Sequence, residues 1–540
     1  MNRLIRLLFL TSIAASPALH AKKVYHVVSE EPTRRAPQQI INTGVSLNQQ
    51  ISSSTLNNTY KAVDGQFVIK TSGRYFLSTD LHAAPGRSIL PIIYIAASDV
   101  ILDLGGKSMT LSTSNYMPSI AAISLANGVN NITIMNGTIN GKGARANIKT
   151  GITTLNNTNV MLDNVRIVNC EKTGIDFNTV NSFSLNGIQT VGGTIGISML
   201  NSNVGVITDS AFDATFGGNN QAIGVLADSC SNVELDDLSI SNNESTNNDA
   251  FGLYLIDSSG FSCKKVQSSR HTSGAALCAG IYLSGSTGNM FTECDSSNNV
   301  GNSSSTDVYG FYLTNESNGN SLRECEANTN GNSSTKICAG FANNGAHYNL
   351  FQKCLASGNM ANDTAYGFFS TGASRGSVIR DCRANGNNIV ETGGSAYGIA
   401  FEDETGGAIQ NCEASTNTGA DIGCGIALLG RCLKTTVEYN KILANAGTTR
   451  YGFWDDSTEA TTFLRGNISF GHGKVYDGTQ FIASNTTANY RLTAAETNPD
   501  LNPQYFIKEA DTSNMNAFEA ASPTWFNFSI IESLISDIFA

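Results

Sequence analysis

The chain has 540 residues, of which 14% are charged and 41% hydrophobic, with 52 glycines against 9 prolines. That balance belongs to a folded protein and excludes a charge-rich disordered chain or a low-complexity linker. The formal net charge is −11, with no basic cluster beyond the first 35 residues; nucleic acid is therefore excluded as a partner, because displacing its counterions needs a positive face.

Arg3 and Arg6, the apolar run from Leu7 to Ala15 and the small-residue exit from Ala18 to Ala21 predict a secretory signal over residues 1–21, and so an exported protein. Neither that run nor any later stretch reaches the roughly 20 apolar residues of a membrane helix, so no membrane span is expected in the mature chain. Residues 22–60 read as an N-terminal segment or cap, and the stretch from Pro37 to Leu56, polar with scattered Ile and Leu, as either helical or disordered. The phrases that follow each read as a strand, a small turn and a strand: DVILDLGGKSMTL from Asp99, NNITIMNGTINGKG from Asn130, NVMLDNVRIVNC from Asn159 and NVELDDLSISNN from Asn232.

The second half is strictly periodic. A glycine followed by a large apolar residue returns at Gly252, Gly280, Gly310, Gly340, Gly367, Gly398, Gly425 and Gly452. Cys263, Cys294, Cys325, Cys354, Cys382 and Cys412 keep a similar beat. Two markers in one register mean a structural repeat. GLYL, GIYL and GFYL alternate as pleated strands do, second strands such as NMFTEC and NSLREC follow, and no segment between them has helical length or period. Strands that recur without helices can pair only with their equivalents one turn earlier. The predicted fold is therefore all-β: a single-stranded, right-handed parallel β-helix, or solenoid, over residues 61–490 with caps at both ends.

Alternation assigns side chains to faces. The residues just before the glycine (Phe251, Ala279, Tyr309, Ala339 and onward) and just after it (Leu253, Ile281, Phe311, Phe341 and onward) are expected in the interior. Asn298, Asn299, Asn328, Asn330, Asn387 and Asn417 are expected in turns, where Asn tolerates left-handed backbone. The six periodic cysteines should stack about 4.8 Å apart as buried thiols, since in-register neighbours have parallel Cβ vectors. The remaining six (Cys170, Cys230, Cys278, Cys338, Cys424, Cys432) are less regular, and one or two bridges among them stay open. Residues 491–540 leave the repeat, and SPTWFNFSIIESLISDIF from Ser522 reads as a C-terminal cap or self-association segment.

The run GRYFLSTDL from Gly73, then DVILDLGG, then NITIMNGTI resembles the opening coils of right-handed parallel β-helix proteins of the pectin lyase-like class. The likeness covers roughly residues 62–490. It implies the fold strongly and the activity weakly, because that class includes lyases, hydrolases, epimerases and adhesins.

Its enzymes imply carboxylates converging on one groove. Asp455 and Asp456 in YGFWDDS, with His472 in the following GHGK, resemble a polygalacturonase site, in which carboxylates activate water and protonate the leaving oxygen. The Asn-Thr-Asp one coil earlier and the later Arg-x-Lys of that family are missing, as is the Asp-Pro-His-Asp of alginate epimerases. The acidic residues lack calcium-loop spacing and the six histidines do not cluster, so no metal and no cofactor is expected. A binding signal lies two residues after the glycines, at Tyr254, Tyr282, Tyr312, Phe369 and Trp454, a column expected on the outer face and suited to sugar rings. Two readings follow. The leading one is an exported binding or structural module for a polysaccharide or a cell-surface protein. The alternative is a polysaccharide hydrolase or lyase acting through Asp455, Asp456 and His472. Oligomeric state is not encoded in these patterns.

Overall fold

The computed structural model describes residues 49–51, 61–62, 66–83, 91–111, 121–141, 148–213, 215–274, 276–457, 463–470, 474–478, 486–487 and 490–491. The signal-like start, the tail from Ser522 and His472 lie outside these residues. Within them the protein is a parallel β-helix with no α-helix. Every pairing between named strands is parallel except that of Lys61–Ala62 with Gln66–Ile69.

Each coil contributes one strand to a sheet that carries the periodic glycines. Ala250–Ile256 pairs with Leu277–Ser284, which pairs with Asp307–Thr314, and the register Ala279↔Tyr309, Ile281↔Phe311 brings Gly280 level with Gly310. The same register runs on to Thr449–Asp455. It also runs back through Gly224 and Gly196 to Gly174 and Gly151, where the coils are shorter. A second sheet runs alongside from Asn130–Asn140 through Ser231–Ser241 to Thr436–Glu438, and short strands such as Leu355–Ser357 and Arg383–Asn385 close the cross-section. Corners between strands hold left-handed backbone, as at Asn242 (φ 57°), Asn298 (φ 61°) and Gly386 (φ 66°). Asn and Gly adopt that conformation at least cost, which explains their abundance.

The interior is a set of columns. Residues after the glycines stack coil on coil: Phe311, Phe341 and Phe368 lie with ring centroids 4.8 Å apart and planes within 9° and 5° of parallel. Each such buried ring contributes about 1.5–3 kcal/mol. The glycines themselves also face inward, and they are needed for space. A Cβ at Gly340 would lie 2.8 Å from Ala356 Cβ, 2.9 Å from Asn359 Nδ2 and 2.9 Å from Gly367 O.

Two consecutive inward positions, the glycine and its successor, break the alternation of the strand. The column before the glycine therefore emerges on the outer face, where Tyr309 stacks on Tyr312 at 4.3 Å and Tyr366 on Phe369 at 4.1 Å. This corrects the expectation from period-two counting, which put both flanking columns inside.

The asparagines divide as well. Asn298 sits at an exposed corner, but Asn299, Asn330, Asn387 and Asn417 are fully buried. With Asn359 and Asn445 they form an interior ladder. Asn330 N–H and Nδ2 both donate to Asn359 Oδ1 at 3.1 Å, and Asn359 N–H and Nδ2 donate to Asn387 Oδ1 at 3.2 and 2.9 Å. The pattern continues through Asn417 to Asn445. His271 takes one rung: its Nδ1 accepts from Asn243 N–H at 3.3 Å while its backbone N–H donates to Asn299 Oδ1 at 3.2 Å. Ser268 Oγ donates to Gly280 O at 2.6 Å, so it accepts from His271 Nε2 at 3.0 Å. Burial pushes this imidazole down to about 3, which keeps it neutral.

All twelve cysteines are buried free thiols. Cys294, Cys325, Cys354, Cys382 and Cys412 form one column, fixed by the bridges Asp295↔Glu326 and Glu326↔Leu355 and the pairs Leu355↔Arg383 and Arg383↔Glu413. Cys263 is the exception, because it pairs with Phe291. Its step to Cys294 is longer than the advance of the strand register at that coil, so it lies one corner earlier. The irregular cysteines form no bridges.

Candidate functional site

The outer face of the glycine strands carries two adjoining aromatic columns. Tyr254 and Tyr282 stack at 4.6 Å with planes 13° apart, Tyr282 and Tyr312 at 5.2 Å and 9°, and Tyr309 closes this run against Tyr312. A second run goes from Phe369 to Tyr366, to Tyr397 at 5.2 Å, to Trp454 at 6.2 Å and to Tyr451 at 5.4 Å. The coil between them carries only Ala339 and Ala342 at these positions. Trp454 reaches Tyr397 across the coil that bears Cys424 and Ala427.

These rings exist as a ladder because parallel in-register strands repeat the same position every coil, at about the spacing that offset stacking prefers. Tyr254, Tyr282, Tyr312, Phe369 and Trp454 are all half-buried. Burial, first, and neighbouring phenols and Asp249, second, hold the Tyr282 hydroxyl well above its ordinary range, so it stays a neutral donor. The rings before the glycines, Tyr309, Tyr366, Tyr397 and Tyr451, belong to the same face and escaped period-two reasoning. The signal for them was the three-residue spacing across each glycine, as in Tyr309 with Tyr312, Tyr366 with Phe369 and Tyr451 with Trp454.

The paired aspartates are separated. Asp455 continues the inward column of Leu428 and is 4% exposed, with Ser457 N–H donating to its Oδ1 at 3.0 Å. Burial raises its carboxyl above the ordinary value. Asp456, next along the chain, is exposed. The two share no groove, and the position of His472 is not described. Among the described residues no group of three His, Cys, Asp or Glu side chains is arranged to hold a metal ion, and no helix is long and apolar enough to cross a membrane.

A second buried carboxyl was not singled out in the sequence. Glu404 is fully buried, accepting from Ser377 N–H at 3.1 Å, Ser377 Oγ at 3.1 Å and Ser370 Oγ at 2.6 Å. It takes the place of an interior amide: Asn289, Asn320 and Asn349 receive backbone N–H groups in earlier coils, but the corresponding later position is Gly407, whose missing side chain leaves room for Glu404. Burial outweighs the hydroxyl donors and raises its pKa. A carboxyl raised in the folded state stabilises below its unfolded value and loses that contribution as pH rises through the folded one. Glu404→Gln is therefore expected to raise the melting temperature at pH 8, with the gain shrinking toward pH 4. A variant no more stable than the parent at pH 8 would contradict this.

No family model and no curated protein matches the chain. Several solved structures are similar to it. The A-module of mannuronan C-5 epimerase AlgE6 from Azotobacter vinelandii is 14% identical with a TM-score of 0.29, the alignment covering 79% of this chain and 96% of that one. The periplasmic alginate epimerase AlgG is 10% identical with a TM-score of 0.32, over 78% and 83%. PfbA, a surface adhesin of Streptococcus pneumoniae, is 12% identical with a TM-score of 0.33, over 63% and 83%. These values transfer no activity or ligand, and the functional argument rests on this chain's own side chains.

Proposed function

We propose that this protein is an exported β-helix that binds glycan through the aromatic face of its glycine strands. The single observation that carries the reading is the half-buried ladder of Tyr254, Tyr282 and Tyr312 on the outer side of the sheet, with the buried Tyr309 stacked against Tyr312. Because the rings stack on one another, their faces are largely engaged and their edges and hydroxyls are the groups left for a ligand. Such a row repeats its donors at every coil, a spacing close to that of successive sugar units in an extended chain. The start of the sequence, with Arg3 and Arg6 before Leu7 to Ala15, supports export. The enzymatic alternative lacks comparable support, since Asp455 and Asp456 diverge.

The reading is tested by two triple variants. Alanine at Tyr254, Tyr282 and Tyr312 should abolish retention on immobilised polysaccharides while leaving the far-UV circular dichroism of the solenoid intact. Phenylalanine at the same three positions keeps the stack and removes the hydroxyls, and retention should fall by at least tenfold. Full retention by the alanine variant would remove the aromatic face as the binding surface.

A further inference from the structure

From Asn243 to Asn445 the interior ladder is made of amides, which do not titrate, at every coil but one. His271 stands between Asn243 and Asn299 and is 0% exposed. Of the other described histidines, His82 is exposed and His347 half-buried. Both ring nitrogens of His271 are committed. Nδ1 accepts from Asn243 N–H at 3.3 Å, and Nε2 donates to Ser268 Oγ at 3.0 Å, whose own proton goes to Gly280 O at 2.6 Å. Gly252 packs against this pair, and a Cβ there would collide with both Ser268 Oγ and His271 Nε2. A second ring proton would sit on Nδ1 and point at the Asn243 N–H, donor against donor. It would also bring an unpaired charge into the buried interior. An amide rung has no such weakness.

No packed element offers a counter-ion. Ser231–Ser241 and Glu244–Ser245 carry Glu234, Asp236, Asp237 and Glu244; Ser262–Ser269 and its corner carry Lys264, Lys265 and Arg270. Asp249 and Asp257 flank Ala250–Ile256, and Glu293 and Asp295 belong to the next coil. All of these are exposed or half-buried, and burial alone sets the preference of the imidazole. The thiols of Cys263 and Cys278 are buried, and burial pushes that of Cys278 up to about 12, so it stays neutral in acid.

We infer that the coil of residues 257–284 is an acid-sensitive seam of the solenoid: closed, it admits only the neutral imidazole of His271, and it opens in acid ahead of the coils whose rungs are asparagine. In an open coil the imidazole titrates at its ordinary value near 6.5, whereas burial holds the closed one down to about 3. Between these values the open coil takes up a proton that the closed coil refuses. Opening is therefore favoured about tenfold more for each pH unit below about 6.5. It also removes Tyr282 from between Tyr254 and Tyr312, so acid breaks the aromatic column at its middle ring.

His271→Asn restores the rung used by the neighbouring coils and supplies the test. Native-state hydrogen exchange of the full chain and of this variant is followed by mass spectrometry at about pH 7.5 and about pH 4.5. Comparing the two proteins at one pH cancels the intrinsic exchange rate and every carboxylate they share. The ratio of opening in the parent to opening in the variant should rise about hundredfold between the two pH values, in peptides from residues 257–284. A flat ratio overturns the inference. A rise spread equally over all coils overturns the seam, because the proton then acts on the whole fold. Should His271→Asn lose the far-UV circular dichroism of the solenoid, the parent alone decides. Protection of residues 257–284 must fall on acidification at least tenfold more than that of the coils bearing Asn359 and Asn387, and equal falls overturn the inference.

Discussion

Asn359→Leu is expected to cost the solenoid about 3–5 kcal/mol, although leucine shares the branched shape of asparagine and enters an apolar interior. Asn359 Oδ1 receives two donors from Asn330, and its amide donates to Asn387 Oδ1 and to Ala327 O at 3.1 Å. Leucine removes all of these at once. Asn330 N–H and Ala327 O are then left buried without their partners, at about 1–3 kcal/mol each. Asn298→Gly, at an exposed corner with φ 61°, serves as the control and should stay within about 0.5 kcal/mol, since glycine accepts the same backbone conformation. Urea unfolding of the two variants separates a ladder that carries the structure from one that merely fills it. Equal midpoints would refute the first.

Gly340→Val is the second large effect. Its backbone φ is not in the left-handed region, so the loss comes from volume alone. The new side chain would press on Gly367 O, Ala356 Cβ and the Asn359 amide, none of which is the free end of a flexible chain. Overpacking of this kind costs about 3 kcal/mol. It should also be non-additive with Asn359→Leu, because both act on the same rung. Independent effects in a double-mutant cycle would place the strain elsewhere.

The architecture was legible because equivalent residues must superimpose on successive coils, and the repeat period survives every local variation. What period-two reasoning could not see is a local event, the double inward step at each glycine, that moves Tyr309, Tyr366, Tyr397 and Tyr451 out of the central core to the outer side of the sheet, where they are buried in a cluster of their own. The amide ladder was half-visible. Asn299, Asn330, Asn359, Asn387, Asn417 and Asn445 recur once per coil, on the same beat as the glycines, but asparagine composition alone suggested corners. Periodicity outranks composition there, since a corner asparagine needs only its own backbone whereas a rung needs a partner one coil away. Cys263 shows the reverse: its interval matches the column while its position does not. For the candidate site, Asp455 and Asp456 are adjacent at a strand end, where alternation sends neighbours to opposite faces, and the structure buries the first and exposes the second. Glu404 gave no signal, because its burial depends on the absence of a side chain at Gly407.

The ladder has one further property. Each rung from Asn299 to Asn417 turns its carbonyl oxygen toward the preceding coil, where it collects donors from its neighbour, and none is reversed. Amide dipoles aligned in this way reinforce one another through the buried interior. The rod is therefore electrically polar along its axis: its two ends are unequal toward charged neighbours, whatever sequences flank them.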